Sequence, residues 1–237
     1  MSQYKIGFWG YPDPQIVKSL EHKNAQWIDL DVDFNYPETN ILPDAYCKII
    51  KNIIDNAFHI KPDLIVGTIG KDKCDSGWFA SCILKDLGFN VIQSKYETTQ
   101  NPRPTPISTS DLSLRKKIEL ITAQIIKPIE LPPLNQCNPT FGFWGVPPND
   151  LTILELFPNT THVFGWTRCV EANVPADVEL EMDINKNIPT VFYSQAFCAK
   201  SQLAKYLAKK YDGLYIDIDD YATNSVKAKI EAFLKLR

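Results

Sequence analysis

Cys74, Cys169 and Cys198 are the residues of this sequence best suited to ligate a metal. Cys74 and Cys198 each stand just ahead of a predicted helix, where the helix dipole and its free N–H groups favour thiolate. Cys169 closes the run Thr161-His-Val-Phe-Gly-Trp-Thr-Arg-Cys169, which reads as a strand ending in Trp166, Arg168 and Cys169. Three thiolates from separate loops can hold a 4Fe–4S cluster and leave one iron open, as Lewis acid or electron carrier. The alternative is that these cysteines only pack, as small buried thiols often do. Cys47 and Cys82 fall within helical periods and Cys137 falls in a connecting segment, so these three read as inert. No CxxC spacing is present, which argues against a zinc ribbon or a thioredoxin-type motif.

Two tryptophan–glycine turns form the second set. Gly7-Phe8-Trp9-Gly10-Tyr11-Pro12 recurs as Gly142-Phe143-Trp144-Gly145-Val146-Pro147. Glycine permits close backbone approach, and a following helix offers N–H groups to an anion. Trp9, Gly10, Trp144 and Gly145 are therefore candidates to seat a small flat or acidic ligand; the competing reading makes each a tight turn whose indole fills space. The pattern is neither GxGxxG nor a P-loop, so it does not specify a nucleotide. Trp166 and Arg168 join the ligand candidates, Arg168 through its bidentate fork. Glu171 is the candidate catalytic carboxylate, unless it and Arg168 simply pair with each other. A nucleophilic Cys198 would need a nearby base, and His22, His59 and His162 all map away from the predicted strand tips.

Position comes from the elements around these residues. Each hexapeptide follows a short apolar strand and precedes a helix with recognisable start chemistry: Asp13 and Pro14 in the first half, Asn149 or Asp150 in the second. Further on, residues 63–69 and 189–193 read as buried strands. Helices follow near 76–87 and 201–210, and then strands at 90–92 and 214–218. Strand–helix alternation implies parallel sheets with right-handed crossovers. The expected fold class is α/β, with two pseudo-repeated Rossmann-like lobes (1–100 and 139–237) facing each other across an inter-lobe cleft. A proline-rich connection with one amphipathic helix (101–138) joins them, its helix packed back on the first lobe. The runs 28–33, 178–183 and 216–219 alternate acidic with apolar residues and read as strands, at least two of them at sheet edges. Asp29, Asp31 and Asp33 could bind Mg²⁺, but alternation reads more simply as a solvated face.

Composition narrows the function classes. With 237 residues, 44% hydrophobic, 22% charged and a net charge of −3, the chain has no basic footprint for nucleic acid or anionic membrane. No apolar run approaches membrane-spanning length, and the N-terminus lacks signal-peptide pattern, which points to the cytoplasm and reduced thiols. Two functions remain. One is an enzyme whose cluster or metal is held by Cys74, Cys169 and Cys198 and acts on a small metabolite. The other is a metal-free two-lobed protein that binds an anionic small molecule.

Overall fold

A computed structural model describes residues 3–21, 24–43, 45–70, 74–95, 101–175, 177–218 and 220–237. His22 and Asp219 lie outside the described residues. The chain divides into two compact units, Met1–Glu97 and Thr98–Arg237.

The first unit runs β1 (Lys5–Trp9), α1 (Pro14–Leu20), β2 (Gln26–Asp29), α2 (Lys48–Ile60), β3 (Leu64–Ile69), α3 (Asp75–Asp86) and β4 (Val91–Lys95). Its sheet is all parallel in the order β2-β1-β3-β4. Helix α1 starts where the sequence signals it: the Asp13 carboxylate accepts the Gln15 N–H at 2.8 Å and Pro14 needs no partner. In α2, Ile50, Ile53, Ile54 and Ala57 recur at helical spacing and pack with Trp9, Leu30, Ile65 and Leu84 in one core. Strand β3 is buried at all six positions, as a central parallel strand should be. Gly67 is required there, because a Cβ would stand 2.1 Å from Cζ2 of Trp9.

The second unit holds α4 (Leu114–Ala123), β5 (Phe141–Trp144), a short 3₁₀ helix (Leu151–Leu156), β6 (Thr161–Phe164), α5 (Trp166–Glu171) and α6 (Val178–Met182). It ends with β7 (Thr190–Gln195), α7 (Lys200–Lys210), β8 (Leu214–Ile218) and α8 (Asn224–Leu236). The order β6-β5-β7-β8, again all parallel, matches the first sheet. Strands β2 and β8 both stand at sheet edges, but the expected strand 28–33 stops at Asp29, so Asp31 and Asp33 lie beyond it.

Three further sequence expectations change. Helix α4, expected to pack on the first lobe, is part of the second unit: Leu114 and Ile118 enter a core with Phe143, Ile153 and Val163. Strand β6 ends at Phe164 because Gly165, at φ 72°, turns the chain into α5, so Trp166, Arg168 and Cys169 are helical. Residues 178–182 form a helix, not a strand, since Asp177 caps it by accepting the Leu180 N–H at 2.9 Å. Among the described residues no helix is long and apolar enough to cross a membrane.

The Trp9–Gly67 contact can be tested directly. Gly67→Ala is expected to lower unfolding free energy by about 1–3 kcal/mol through overpacking, measured by urea denaturation; an unchanged midpoint would contradict the packing described.

Candidate functional site

Parallel pairing aligns side chains of neighbouring strands on one face, and the period of two carries that alignment along each strand. In the first sheet Phe8 pairs with Asp29 and Val66, and Val66 with Ile92. Two residues on, at the carboxyl ends, Thr68 pairs with Ser94, Gly10 just past β1 lies beside Thr68, and Asp31 just past β2 bonds to Gly10. The row is polar and tightly connected. Gly10 N–H donates to Asp31 Oδ2 at 3.1 Å, and a Cβ on Gly10 would lie 3.4 Å from Thr68 Oγ1. Ser94 Oγ accepts the Asp13 N–H at 2.7 Å. Thr68 is only 4% exposed, and its Oγ1 has no hydrogen-bond partner among the described residues. Such a hydroxyl costs about 1–3 kcal/mol when left unsatisfied.

Asp29 and Asp31, expected to be solvated, are partly buried, and Asp31 N–H donates to Asp29 Oδ1 at 3.2 Å. Burial, and then the neighbouring Asp31 carboxylate, hold Asp29 well above the usual carboxylate range. Burial also raises Asp31, against hydrogen bonds from Asp29 and Gly10 that lower it. Helix α2 fixes the pair. Asn56 Nδ2 donates to Leu30 O at 2.9 Å and Val32 O at 2.7 Å, and Asn52 Nδ2 donates to Asp31 O at 3.2 Å. Two amides one helical turn apart thus clamp the backbone that carries the acids.

The second unit answers this row with apolar groups. Phe143 pairs with Val163 and Val191, and Tyr193 with Ile216. The matching row is therefore Gly165, Gly145, Tyr193 and Ile216, with Val163 where the first unit has Asp29. Phe143, Val163, Tyr193 and Ile216 share one hydrophobic core with Ile118 of α4 and Ile230 of α8. That edge is filled.

Each residue singled out from the sequence has a definite position. Trp9 and Trp144 are buried, and their indole N–H groups donate to Thr68 O at 3.2 Å and Glu181 O at 2.7 Å. Burying an indole of about 200 Å² is worth on the order of 5 kcal/mol, so both act as core residues. Gly10 belongs to the polar row. Gly145 lies against Tyr193, whose carbonyl oxygen would be 2.5 Å from an added Cβ. Trp166 is half-buried at the start of α5. Arg168 donates through Nη2 to Leu180 O at 2.7 Å, Asp183 O at 2.5 Å and Asp183 Oδ2 at 3.3 Å, tying down α6. Its Nε is buried without a partner among the described residues, and its guanidinium lies 5.0 Å over Phe164. Glu171 does not pair with Arg168. Its oxygens accept the Ile107 and Ser108 N–H groups at 2.6 and 2.9 Å and the Ser108 hydroxyl, while burial raises its pKa.

The three candidate thiols are in different states. Cys74 is exposed at the N-cap of α3. Cys198 is half-buried one place ahead of Ala199, the N-cap of α7. Cys169 is fully buried, donates to Asp177 O at 3.6 Å, and its thiol is pushed up to about 12 by burial. To ligate iron it would have to give up that proton and its place in α5. No group of three His, Cys, Asp or Glu side chains among the described residues is arranged to hold a metal ion.

One pair escaped sequence reasoning. Cys137 Sγ stands 3.8 Å from His162 Nε2 and 3.1 Å from Ser110 O, so a Cys–His pair does exist. It forms because Cys137 N bonds Thr109 O while Val163 N bonds Ser108 O, a juxtaposition of distant segments. Beside it Lys117 is fully buried, donates to Asn159 O and Thr161 O, and is pushed down to about 8 by burial. Burial and Lys117 also lower the His162 pKa.

Fold and site together define a parallel α/β protein with an acidic strand edge in one of two similarly ordered sheets. Compared with known proteins, the chain matches no family model and no curated sequence.

Two measurements follow from these environments. A carboxyl whose folded pKa is raised stabilises the fold fully at low pH and loses that contribution as pH climbs through the folded value. Asp29→Asn, whose amide can donate to Asp31, should therefore stabilise the protein by about 1 kcal/mol at pH 7. The gain should shrink towards the ordinary carboxyl value of 3.8; equal gains at pH 4 and 7 in urea titrations would contradict it. Iodoacetamide should alkylate exposed Cys74 and Cys82 in the native protein and reach Cys169 only on unfolding, read by peptide mass spectrometry.

Proposed function

We propose that the protein is a metal-independent small-molecule-binding protein whose ligand sits on the first unit, over the row Asp31–Gly10–Thr68–Ser94. In open parallel sheets, ligands bind beyond the carboxyl ends of strands where the order reverses, and here that point lies between β1 and β3. Gly10 follows β1 directly and Thr68 lies near the end of β3. The observation that carries the reading is the Thr68 hydroxyl, buried beside a clamped pair of acids and unpaired among the described residues. A ligand hydrogen-bonding to it would remove its cost. The second unit then serves as scaffold. The shared hexapeptide and shared strand order support descent of both units from one repeated sequence, with the polar edge present in one.

Thr68→Val tests the reading, since it keeps the shape and deletes the hydroxyl. The expected result is an unliganded protein about 1 kcal/mol more stable, because an unsatisfied polar group is gone. A small-fragment screen by ¹H–¹⁵N NMR should find ligands that move the Gly10, Asp31, Thr68 and Ser94 amides in wild type and bind Thr68→Val less tightly. A clearly destabilised Thr68→Val would show that the hydroxyl has a structural partner and would remove the main support.

A further inference from the structure

We propose that the outer face of α3 is a self-association surface on which α3 of a second copy of this chain docks antiparallel. Asp75, Trp78, Phe79, Cys82, Lys85 and Asp86 recur at steps of three and four along the helix, and all are exposed. Gly77, Ala80, Ser81 and Leu84 occupy the opposite side and are buried. Trp78 is 53% and Phe79 52% exposed, so two adjacent rings leave half of their surface in water. Aromatic rings grouped in this way are characteristic of the centre of a protein–protein interface.

The framework does not demand them. Helix α7 has the same place in the second unit, after β7 and before β8, as α3 has after β3 and before β4. Its exposed positions hold Gln202, Lys205, Tyr206, Lys209 and Lys210. That face is polar, and its lysines would repel their own copy. The face of α3 is apolar at its middle and carries both signs of charge at its ends.

The placing of those charges selects the partner. Asp75 and Lys85 stand equally far along the helix from Ala80, and so do Trp78 and Cys82. A two-fold axis level with Ala80 therefore sets Asp75 of each copy opposite Lys85 of the other, and Trp78 opposite Cys82. Phe79, one residue from the axis, meets its own copy. A parallel arrangement would instead oppose like charges at both ends. Neither Asp75 nor Lys85 forms an ion pair within 4.0 Å among the described residues, so both charges are available. The contact closes on itself as a dimer. A helix of this length spans about 18 Å, and its face falls well short of the roughly 800 Å² per partner of a standard interface. The association is therefore weak and concentration-dependent.

The test is sedimentation of the full-length, reduced protein from about 10 μM to about 1 mM, a range suited to weak association. Wild type should pass from monomer to dimer as concentration rises. Asp75→Lys makes both ends of the face basic and Lys85→Asp makes both acidic, so each variant alone should associate at least about fivefold more weakly. An equimolar mixture of the two should recover wild-type association to within about twofold, because a dimer with one chain of each restores both ion pairs. Mixing compares the same two variants with themselves, so a change in helix stability cannot produce the recovery. Trp78→Ala should weaken association by at least about tenfold, and circular dichroism should show all three variants folded, since these positions are exposed. Wild type that stays monomeric throughout, or a mixture that associates no better than its components, would overturn the proposal. So would Trp78→Ala protein that dimerises like wild type, which would place the contact elsewhere.

Discussion

The hydrogen bond from Gly10 N–H to Asp31 ties together everything distinctive about the first unit. In a parallel ladder all carboxyl ends reach the same edge of the sheet, so the turn leaving one strand faces the turn leaving its neighbour. Here that geometry brings an acid from beyond β2 onto the backbone of the β1 turn. A glycine-rich turn ahead of a helix ordinarily offers its N–H groups to anions. Once a carboxylate occupies the donor, the polarity of the edge reverses. Asn52 and Asn56 hold the peptide groups around the acid, and its own N–H is bound to Asp29 Oδ1.

The two units show how one framework can keep or lose such an edge. Both sheets have the same order and both carry the same tryptophan–glycine turn, yet where the first unit has Asp29, Thr68 and Ser94 the second has Val163, Tyr193 and Ile216. The second unit adds α4 and α8, whose Leu114, Ile118 and Ile230 close over these apolar residues. Each fully buried aliphatic side chain of this kind contributes about 1.5–3 kcal/mol. The first unit gives up that gain at its strand ends and carries an unpaired hydroxyl and two crowded acids. Local destabilisation at one edge of an otherwise well-packed domain is the pattern expected where binding and stability compete.

Much of the framework was legible because it rests on local signals. The repeated hexapeptide, the Asp13–Pro14 helix start and the apolar run 64–69 located strands and helices correctly. Sequence reasoning failed where a few residues fit two periods. Val178 to Met182 alternates like a strand, and the Asp177 cap and the Arg168 hydrogen bonds to Leu180 and Asp183 decide for helix. Asp29 and Asp31 look like any charged edge, and the run cannot say which face receives them. A usable signal was present: Asn52 and Asn56 interrupt an apolar helical face one turn apart, and Thr68 interrupts a buried strand. Polar residues at apolar positions mark a network, although its partners emerge only in three dimensions. Cys137 and His162 meet through pairing of segments far apart in sequence, which no local pattern encodes.

The Trp9 side chain gives the acidic edge a mechanical connection to the interior. Its ring lies flush on Gly67 with no room to turn, and its N–H grips the carbonyl of Thr68, one peptide along the same strand. The opposite side of that ring belongs to the core built by α2 and α3. A displacement of the β3 tip by even a fraction of an ångström must therefore be taken up by an indole that has nowhere to swing except against two helices. The tip of β3 and the interior of the domain are thus joined through a single side chain.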